Sequence, residues 1–288
     1  MIYLRRFTIP SRSREEARLY CNAYPFGVFP RIGLHTIECA EVTVFCGGNG
    51  TGKTTLLNVI AETLRLPRLG LFNTSEAFGS YVHMCDAEVY RDRIPPDSAM
   101  FTSDDVFAEI ISRRETNREI GEKRAAVTEE YAREMAADQA GDLVQFRSMA
   151  DYDALERRVR ARRKSRSQYV EEGGGTYHPV DSNGQHALAF YKAHFLENAL
   201  YLLDEPENSL SPLYQAELAG WITDCARFFG CQFVIATHSP FFISLPHAAV
   251  YDFDTYPVEV RPWWENRNMQ TYYALFRDNR GLFEETKE

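Results

Sequence analysis

A glycine-rich stretch between an apolar run and a helical pattern constrains the fold of this chain more than any other feature. Four residues match the phosphate-loop pattern G-x-x-x-x-G-K-[ST], namely Gly47, Gly52, Lys53 and Thr54. The apolar residues 42–46 before it predict a buried strand, and residues 55–64 after it predict a helix. A glycine-rich turn without a ligand is the alternative, but the agreement of strand, loop, Lys-Thr pair and helix favours a nucleotide site.

Each part of this stretch has a chemical role in holding phosphates. Glycines let the backbone turn tightly enough for successive N–H groups to surround a triphosphate, and the following helix adds the positive end of its dipole. We expect Lys53 to lie on the β- and γ-phosphates and the Thr54 hydroxyl to bind Mg²⁺. The residues predicted to contact the nucleotide are Gly47, Gly48, Asn49, Gly50, Thr51, Gly52, Lys53, Thr54 and Thr55.

Composition narrows the class of protein. The 288 residues are long enough for one large α/β domain with an insertion, and the net charge of −9 gives no general attraction for nucleic acid. No apolar run has the roughly 18–20 residues of a membrane helix, and the N-terminus lacks the pattern of a signal peptide. The six cysteines show no C-x-x-C spacing, which favours reduced, buried thiols. We therefore expect a cytoplasmic protein without membrane insertion.

A change in composition marks an insertion. Residues 104–172 contain almost no glycine or proline and are rich in arginine, glutamate and alanine, which predicts a hairpin of two long helices that turns near residues 137–142. Each arm of about 30 residues would be about 45 Å long at 1.5 Å per residue. The insertion separates an N-terminal lobe, residues 1–103, from a C-terminal lobe, residues 173–288, and the two lobes are expected to form one domain.

The second arm of the predicted hairpin ends in a basic cluster. Seven of the ten residues 157–166 are arginine or lysine. Such a cluster can neutralise the phosphates of a nucleic acid, or it can be the solvated face of a helix whose charges pair with neighbouring acids. Charge runs are more often the second kind, and both interpretations stay open at this point.

Two acidic residues follow the most apolar run of the C-terminal lobe. Residues 199–203 predict a central parallel strand that is buried on both faces, and Asp204 and Glu205 stand at its carboxyl end. There Asp204 can hold Mg²⁺ opposite Thr54, and Glu205 can orient and deprotonate an attacking water. Two acids that cap a helix after a strand are the alternative, which is weak in a chain that also has a phosphate loop.

A second apolar strand with a polar residue at its end lies further along. Residues 231–236 are followed by His238, which can donate a hydrogen bond to a γ-phosphate, although a single histidine at a strand end is more often structural. Ser182, Gly184 and Gln185 open the helix that precedes the strand of Asp204, and alone they indicate a helix N-cap. Further strands are predicted at residues 1–9, 32–39 (paired with the strand that enters the phosphate loop), 81–85, 98–102, 250–253 and 258–261.

Taken together, GGNGTGKTT, SNGQ, LYLLDEPENSLSP and FVIATHSP resemble the phosphate loop, signature motif, magnesium-and-base strand with its following loop, and switch histidine of ATP-binding-cassette (ABC) ATPases. The chain is most similar to the RecF/SMC-like branch and to small stand-alone bacterial AAA family ATPases. This resemblance implies an α/β P-loop NTPase with a mostly parallel central sheet, antiparallel N-terminal strands and an inserted helical hairpin.

The same resemblance implies a mechanism. Such ATPases form sandwich homodimers in which Ser182, Gly184 and Gln185 of one subunit would contact the nucleotide held by the other, with Glu205 and His238 as the catalytic residues. Two positions depart from the family pattern. Asn183 stands where a glycine is usual, and the glutamine expected before the helical insertion is missing, so that Ser103 or Asp104 would have to replace it at the Mg²⁺.

The predicted function is ATP binding and hydrolysis with Mg²⁺, coupled by ATP-dependent dimerisation to DNA or to a partner protein in repair or anti-phage defence. Two alternatives remain at this point. One is the ATPase subunit of a membrane transporter, and the other is a slowly hydrolysing regulatory or toxin-associated clamp whose ATP-bound dimer is itself the signal.

Overall fold

The computed structural model describes residues 1–18, 23–70, 75–140, 149–177 and 182–284. They fall into two compact units. The sheet unit consists of Met1–Phe107 and Ser182–Glu288, and the helical unit consists of Ala108–Asp181.

The described residues of the two units form eight strands and twelve α-helices. The strands are β1 (Leu4–Thr8), β2 (Thr36–Glu38), β3 (Val42–Cys46), β4 (Asp86–Val89), β5 (Ala99–Thr102), β6 (Leu200–Asp204), β7 (Gln232–Ala236) and β8 (Ala249–Asp252). The helices are α1 (Arg12–Glu16), α2 (Val28–Arg31), α3 (Lys53–Leu64), α4 (Glu76–Val82), α5 (Ser103–Gln139), α6 (Met149–Arg163), α7 (Arg166–Gly174), α8 (Asn183–His194), α9 (Pro212–Phe228), α10 (Pro240–Ile243), α11 (Arg267–Asp278) and α12 (Arg280–Glu284). Short 3₁₀ turns lie at Tyr90–Asp92 and Trp263–Glu265.

The centre of the sheet unit is a five-stranded sheet in the order β5-β6-β7-β3-β8, in which every neighbouring pair is parallel. All residues of β3, β6 and β7 are buried, as expected of parallel strands covered on both faces. Thr102, Asp204 and Ala236 are in register across β5, β6 and β7. The carboxyl ends of the strands therefore meet at one edge of the sheet, where open α/β sheets bind their ligands.

The N-terminal strands form a separate antiparallel sheet in the order β2-β1-β4. Together with the parallel sheet, this confirms the predicted fold class. One pairing was wrong, because β2 pairs with β1 and not with β3. Both edges of β3 are already taken by β7 and β8, and the exposed–buried–exposed pattern of β2 suits a sheet with one solvated face.

Two other predicted strands are not strands. Tyr81 and Val82 end the helix α4, because Ser75 caps that helix by accepting a hydrogen bond from Phe78 N–H (3.1 Å) and its buried residues share one helical face. In the second predicted strand, Val260 makes only an isolated bridge to Tyr251.

A buried glutamine connects the two sheets. Gln232, at the start of β7, accepts hydrogen bonds from Tyr3 N–H (2.8 Å) and Leu4 N–H (2.9 Å), and donates to the carbonyls of Leu4 (2.8 Å) and Ala40 (2.9 Å). All four of its hydrogen-bonding positions are used, so the amide is fully satisfied despite its burial. The first strand is thereby held against the strand that precedes the switch histidine.

The helical unit contains most of α5 together with α6 and α7. The first predicted arm is one helix, but the second is broken between Arg163 and Arg166, where Ser165 forms a capping box with Gln168 and starts α7. Glu130 of α5 accepts a hydrogen bond from Tyr169 of α7, so the two arms do pair. The predicted turn falls partly on residues 141–148, which lie outside the described residues.

The five cysteines among the described residues are unpaired thiols, and four of them are buried, in agreement with the prediction; Cys21 lies outside those residues. Burial raises the pKa of Cys39, Cys46 and Cys85 to about 12. Within the described ranges, no helix combines the length and the apolar character that crossing a membrane requires.

Candidate functional site

The phosphate loop connects β3 to α3, as the sequence predicts. Gly47 and Gly52 have φ angles of +140° and +99°, which L-residues with a side chain rarely adopt. A Cβ atom at Gly47 would lie 2.9 Å from Phe253 Cβ, and one at Gly52 would lie 2.9 Å from Val28 Cγ1. Both conformation and space therefore require glycine at these two positions.

Lys53 is the charged centre of the loop and is 5% exposed. Its Nζ donates to the carbonyls of Gly47 (2.8 Å) and Gly48 (2.9 Å) and lies 3.1 Å from His238 Nε2. Burial lowers the pKa of Lys53, while the neighbouring carboxylates, Glu205 foremost, oppose this effect. The ammonium group is therefore held inside the loop by backbone carbonyls, in a position to meet a phosphate.

The remaining loop residues are placed around this centre. Thr51 Oγ1 donates to the carbonyl of Gly48 (2.9 Å), and Thr55 Oγ1 accepts from the Tyr24 hydroxyl (3.1 Å). Asn49 and Gly50 are exposed at the tip of the loop.

Thr54 and Asp204 come together although 150 positions separate them in the chain. The Thr54 hydroxyl donates to Asp204 Oδ1 at 3.0 Å, at the carboxyl edge of the parallel sheet. Burial raises the pKa of Asp204 to about 6, and the hydrogen bond from Thr54 opposes the rise. A buried carboxyl group of this kind is a good place for a cation, because the cation would compensate the charge that burial penalises.

These two side chains fit Mg²⁺ by their chemistry. Both offer hard oxygen donors, and protein Mg²⁺ sites commonly use one or two such groups while the substrate phosphates and water supply the remaining ligands. Among the described residues, no group of three or more His, Cys, Asp or Glu side chains could hold a metal by itself. A metal at this edge would therefore depend on the nucleotide for part of its coordination.

Glu205 follows directly in a left-handed conformation, with φ of +49°, which costs a non-glycine residue about 1–2 kcal/mol. Its N–H donates to the carbonyl of Ala236 (2.8 Å), and its Oε2 accepts from Asn208 Nδ2 (3.0 Å). Its other oxygen, Oε1, lies 3.7 Å from His238 Nε2. The carboxylate is half-exposed beside Lys53 and His238, where it can accept a proton from a water molecule.

His238 stands after the end of β7 and completes the cluster. Burial and then the charge of Lys53 lower the pKa of His238, and the neighbouring carboxylates oppose the shift. The ring is therefore neutral at pH 7, and Nε2 is within hydrogen-bond distance of Lys53. The structure thus brings the predicted residues Lys53, Thr54, Asp204, Glu205 and His238 to one place.

The predicted signature residues are not part of this cluster. Ser182 and Gln185 form a capping box at the start of α8, in which Ser182 Oγ accepts from Gln185 N–H (3.3 Å) and Gln185 Oε1 accepts from Ser182 N–H (2.9 Å). A Cβ atom at Gly184 would lie 2.8 Å from the Tyr214 ring. None of the described hydrogen bonds or ion pairs joins these residues to the phosphate loop of the same chain.

The region of the missing glutamine is occupied by the start of α5. Asp104 is exposed, whereas Asp105 is buried and accepts from the Thr102 N–H (2.7 Å) and hydroxyl (3.0 Å). Thr102 is the register partner of Asp204 on the neighbouring strand. Asp105, at the start of α5, is therefore the acidic residue bonded to the end of β5, and the sequence interpretation did not select it.

Sequence reasoning also missed two contacts with the phosphate loop. Asp254 Oδ1 accepts a hydrogen bond from Gly48 N–H at 2.7 Å, although 206 positions separate the two residues. The Tyr24 ring lies beside α3 and stacks on Phe78 with centroids 6.1 Å apart. No motif in the sequence marks either Tyr24 or Asp254.

Comparisons with known proteins can be set beside this geometry. The family model described as "AAA domain, putative AbiEii toxin, Type IV TA system" matches residues 72–244, which is more than half of the chain. Among solved structures, the SMC head domain from Thermotoga maritima is similar, with 11% identity, 87% of this chain and 94% of that chain covered, and a TM-score of 0.39. A comparison with curated proteins finds no match. The matched range contains Ser182, Asp204, Glu205 and His238, and the chain therefore belongs to this family of AAA domains.

Proposed function

We propose that this chain binds ATP with Mg²⁺ and hydrolyses it as an ABC-type sandwich homodimer. The observation that carries the proposal is the hydrogen bond of 3.0 Å between Thr54 and Asp204, because it joins the phosphate loop to the acidic strand end at the edge where Lys53, Glu205 and His238 also meet. Thr54 and Asp204 are 150 positions apart in the chain. Their contact supports a site for nucleotide hydrolysis, which needs a phosphate loop beside an acidic strand end.

Each side chain has a role in the proposed reaction. Lys53 and the backbone N–H groups of the loop bind the β- and γ-phosphates, and Lys53 leaves the carbonyls of Gly47 and Gly48 to do so. Thr54 and Asp204 hold Mg²⁺, which neutralises charge on the phosphates when bound. Glu205 orients the attacking water and accepts its proton, and His238 contacts the γ-phosphate as negative charge redistributes.

The second subunit would supply the signature residues. Ser182 and Gln185 are exposed at the N-terminus of α8, a helix of 12 residues whose dipole favours an anion at this end. Their described side-chain hydrogen bonds stay within the capping box, which is compatible with a role across an interface. Each copy would thus complete the site of the other.

The helical unit is the proposed point of coupling to another macromolecule. Much of its basic cluster is engaged within the unit: Arg158 pairs with Glu134 (3.4 Å), Arg162 with Asp138 (3.3 Å) and Lys164 with Glu172. Three apolar side chains of α6 at helical spacing are instead exposed, namely Tyr152, Leu155 and Val159. Of the two predicted classes of partner, these observations favour a protein over DNA.

The slowly hydrolysing clamp remains a second candidate function, because the family to which the chain belongs is described as a putative toxin of a type IV toxin–antitoxin system. In that case the ATP-bound dimer would be the active state and hydrolysis would end it. Comparing the rate of single-turnover hydrolysis with the rate of partner release distinguishes the two. A motor releases its partner in each hydrolysis cycle, whereas a clamp stays bound to its partner for the time of many cycles.

The test of the proposed function is Glu205→Gln. The change keeps the side chain and removes the base, so we expect ATP to bind normally and hydrolysis to fall by about 10²–10⁴-fold. Sedimentation at saturating Mg-ATP should show a stable dimer of the variant. Lys53→Ala is the matched control and should remain monomeric. A Glu205→Gln protein that is monomeric with Mg-ATP, or that hydrolyses ATP at the wild-type rate, would contradict the proposal.

A further inference from the structure

Two loops at the carboxyl edge of the central sheet are tied together by a buried side chain that the proposed reaction does not use. The base loop, residues 205–211, follows β6 and contains Glu205. The switch loop, residues 237–239, follows β7 and contains His238. Glu207, in the base loop, reaches across to the switch loop.

The contact consists of hydrogen bonds to the backbone. Glu207 Oε1 accepts from the N–H of His238 at 2.6 Å and from the N–H of Ser239 at 3.2 Å. Burial raises the pKa of Glu207, and the hydrogen bond from His238 opposes the rise. Hydrogen bonds from N–H groups to a carboxylate are shorter and stronger than those between neutral groups, and burial strengthens them further.

This bond fixes the backbone from which the histidine ring projects. The ring has little room for error, because Nε2 lies 3.1 Å from Lys53 Nζ and 3.7 Å from Glu205 Oε1. Without an acceptor for its N–H, the switch loop would leave a donor unsatisfied and would shift to find another. Glu207 makes no described hydrogen bond with Lys53 or Thr54, and its charge adds to burial in raising the pKa of Asp204. Its hydrogen-bonded route to the site runs through the backbone of His238.

A second set of hydrogen bonds should keep the end of the switch loop folded when the contact with Glu207 is lost. Gln215 of α9 donates to the carbonyl of Leu210 (2.9 Å) and accepts from the Ser239 hydroxyl (2.8 Å). Ser239 in turn caps α10 by accepting from Phe241 N–H (3.2 Å). The start of α10 is therefore held independently of Glu207, whereas the His238 N–H is held by Glu207 alone among the described hydrogen bonds.

We propose that Glu207 is a positioning residue of the ATPase site, which holds the backbone of His238 so that the imidazole stays between Lys53 and Glu205. The inference rests on the proposed function, since it assigns a role within that site. It differs from the role of Glu205, because Glu207 accepts backbone hydrogen bonds and does not meet the water or the phosphates.

The test compares single-turnover ATP hydrolysis in Glu207→Ala, Glu207→Gln, His238→Ala and the double variant Glu207→Ala/His238→Ala. We expect Glu207→Ala to slow hydrolysis by about 10- to 100-fold, the cost of a misplaced catalytic group, without a comparable change in ATP affinity. Glu207→Gln should keep most of the rate, because its carbonyl oxygen can accept the same N–H. In the His238→Ala background, Glu207→Ala should cause no further loss, because the group that it positions is gone.

Glu217→Gln is the matched control, since Glu217 is an exposed carboxylate of α9 that pairs with Lys192 at 2.6 Å and has no described hydrogen bond to the switch loop. An equal loss from Glu207→Ala in the wild-type and His238→Ala backgrounds would overturn the proposal. A Glu207→Gln variant as slow as Glu207→Ala would also overturn it, because negative charge and not the hydrogen bond would then matter.

A second readout does not depend on hydrolysis. The imidazole resonance of His238, assigned by its loss in His238→Ala, should broaden or shift in Glu207→Ala and stay in place in Glu217→Gln. An unchanged resonance in Glu207→Ala would contradict the positioning role. If the wild-type protein fails to hydrolyse ATP, the proposed function fails, and the resonance still decides whether Glu207 positions the ring.

Discussion

The sheet unit and the helical unit use charged residues in opposite ways. In the sheet unit, charged side chains converge on one edge, where Lys53 and Asp204 are buried and retain only 5% and 8% exposure. In the helical unit, charged side chains form pairs between helices, such as Arg158 with Glu134, while large apolar side chains such as Leu155 are exposed. A charged side chain that is buried at a cost in free energy indicates a binding or catalytic site. A charged side chain in an ion pair between helices indicates packing.

This difference separates what each unit contributes. The sheet unit holds charged groups that are unfavourable to bury, because the surrounding parallel sheet fixes their positions. Such a preorganised arrangement is expected of a site whose groups are in place before the ligand binds. The helical unit has a thin core, in which Tyr169 and Ala161 are among the few fully buried residues. A unit of this kind can change its contacts at low cost, which suits an element that responds to a partner.

Removal of the loop lysine should give the largest effect. Lys53→Ala removes a charge-assisted contact to the phosphates, so we expect ATP affinity to fall by about 100-fold or more. Isothermal titration with Mg-ATP measures the change. Lys192→Ala, an exposed lysine paired with Glu217, is the control and should bind ATP as the wild type does. Equal affinities of the Lys53→Ala and wild-type proteins would remove the sheet unit from its role as the nucleotide site.

Truncating one leucine to alanine in each unit should show how tightly the core of each unit is packed. Leu202 of β6 is completely buried, and Leu155 of α6 is 42% exposed. Leu202→Ala should lower the free energy of unfolding by about 2–5 kcal/mol, the usual cost of a cavity in a packed core. Leu155→Ala should change it by less than about 1 kcal/mol. Urea denaturation of both variants measures the difference, and similar losses would show that the helical unit packs as tightly as the sheet unit.

Asp204, at the end of β6, should lower the free energy of unfolding of the protein when nucleotide and metal are absent. Burial raises the pKa of Asp204 from 3.8 to about 6, so the folded state binds more protons than the unfolded state between these values and stability falls as pH rises through them. Asp204→Asn should therefore be more stable than wild type by about 1–3 kcal/mol above pH 6, with the difference vanishing below about pH 4.

Chemical denaturation of Asp204→Asn in a metal chelator, at several pH values, measures this difference, and Glu259→Gln in an exposed segment serves as control. The variant should at the same time lose Mg²⁺-dependent hydrolysis. A difference in stability that grows toward low pH would mean that the carboxylate is stabilised by its neighbours, contrary to the effect of burial.

The smallest effect is expected on the exposed face of the helical unit. Arg157 and Arg163 make no described ion pair, and their joint change to glutamate should alter the free energy of unfolding by less than about 0.5 kcal/mol. If α6 meets a protein and not DNA, the change should leave ATPase rates with duplex DNA, single-stranded DNA and RNA equal to wild type. Stimulation by DNA that the change abolishes, with a smaller salt dependence, would reverse this assignment.

Motifs predicted the sheet unit well because each motif carries its local structure with it. A phosphate loop implies the strand before it and the helix after it, and an all-apolar run with acids at its end implies a central strand, so Thr54 and Asp204 were matched correctly across 150 positions. The pairing of β2 was wrong because strand partners depend on which edges remain free, and this is decided by β7 and β8 much later in the chain.

Contacts made by single residues that belong to no motif could not be predicted from the sequence. Glu207 is one of three acids within four residues, and only its hydrogen bond to His238 distinguishes it from Glu205. Asp254 reaches Gly48 from a loop with no recognisable pattern. The partners of the basic cluster were left open for the same reason, because Glu134 and Asp138 lie on the opposite arm and their pairing depends on the register of two helices.

The order of the strands also has a consequence for biosynthesis. The strand that enters the phosphate loop, Val42–Cys46, has β7 and β8 as its only sheet neighbours, and β7 begins at Gln232. At about 5–20 residues per second, a ribosome needs roughly 10–40 s between the two segments. Throughout that interval a strand with four apolar residues out of five has no sheet partner on the growing polypeptide. The emerging chain should therefore depend on a holding chaperone, and slow codons after Cys46 should favour its aggregation.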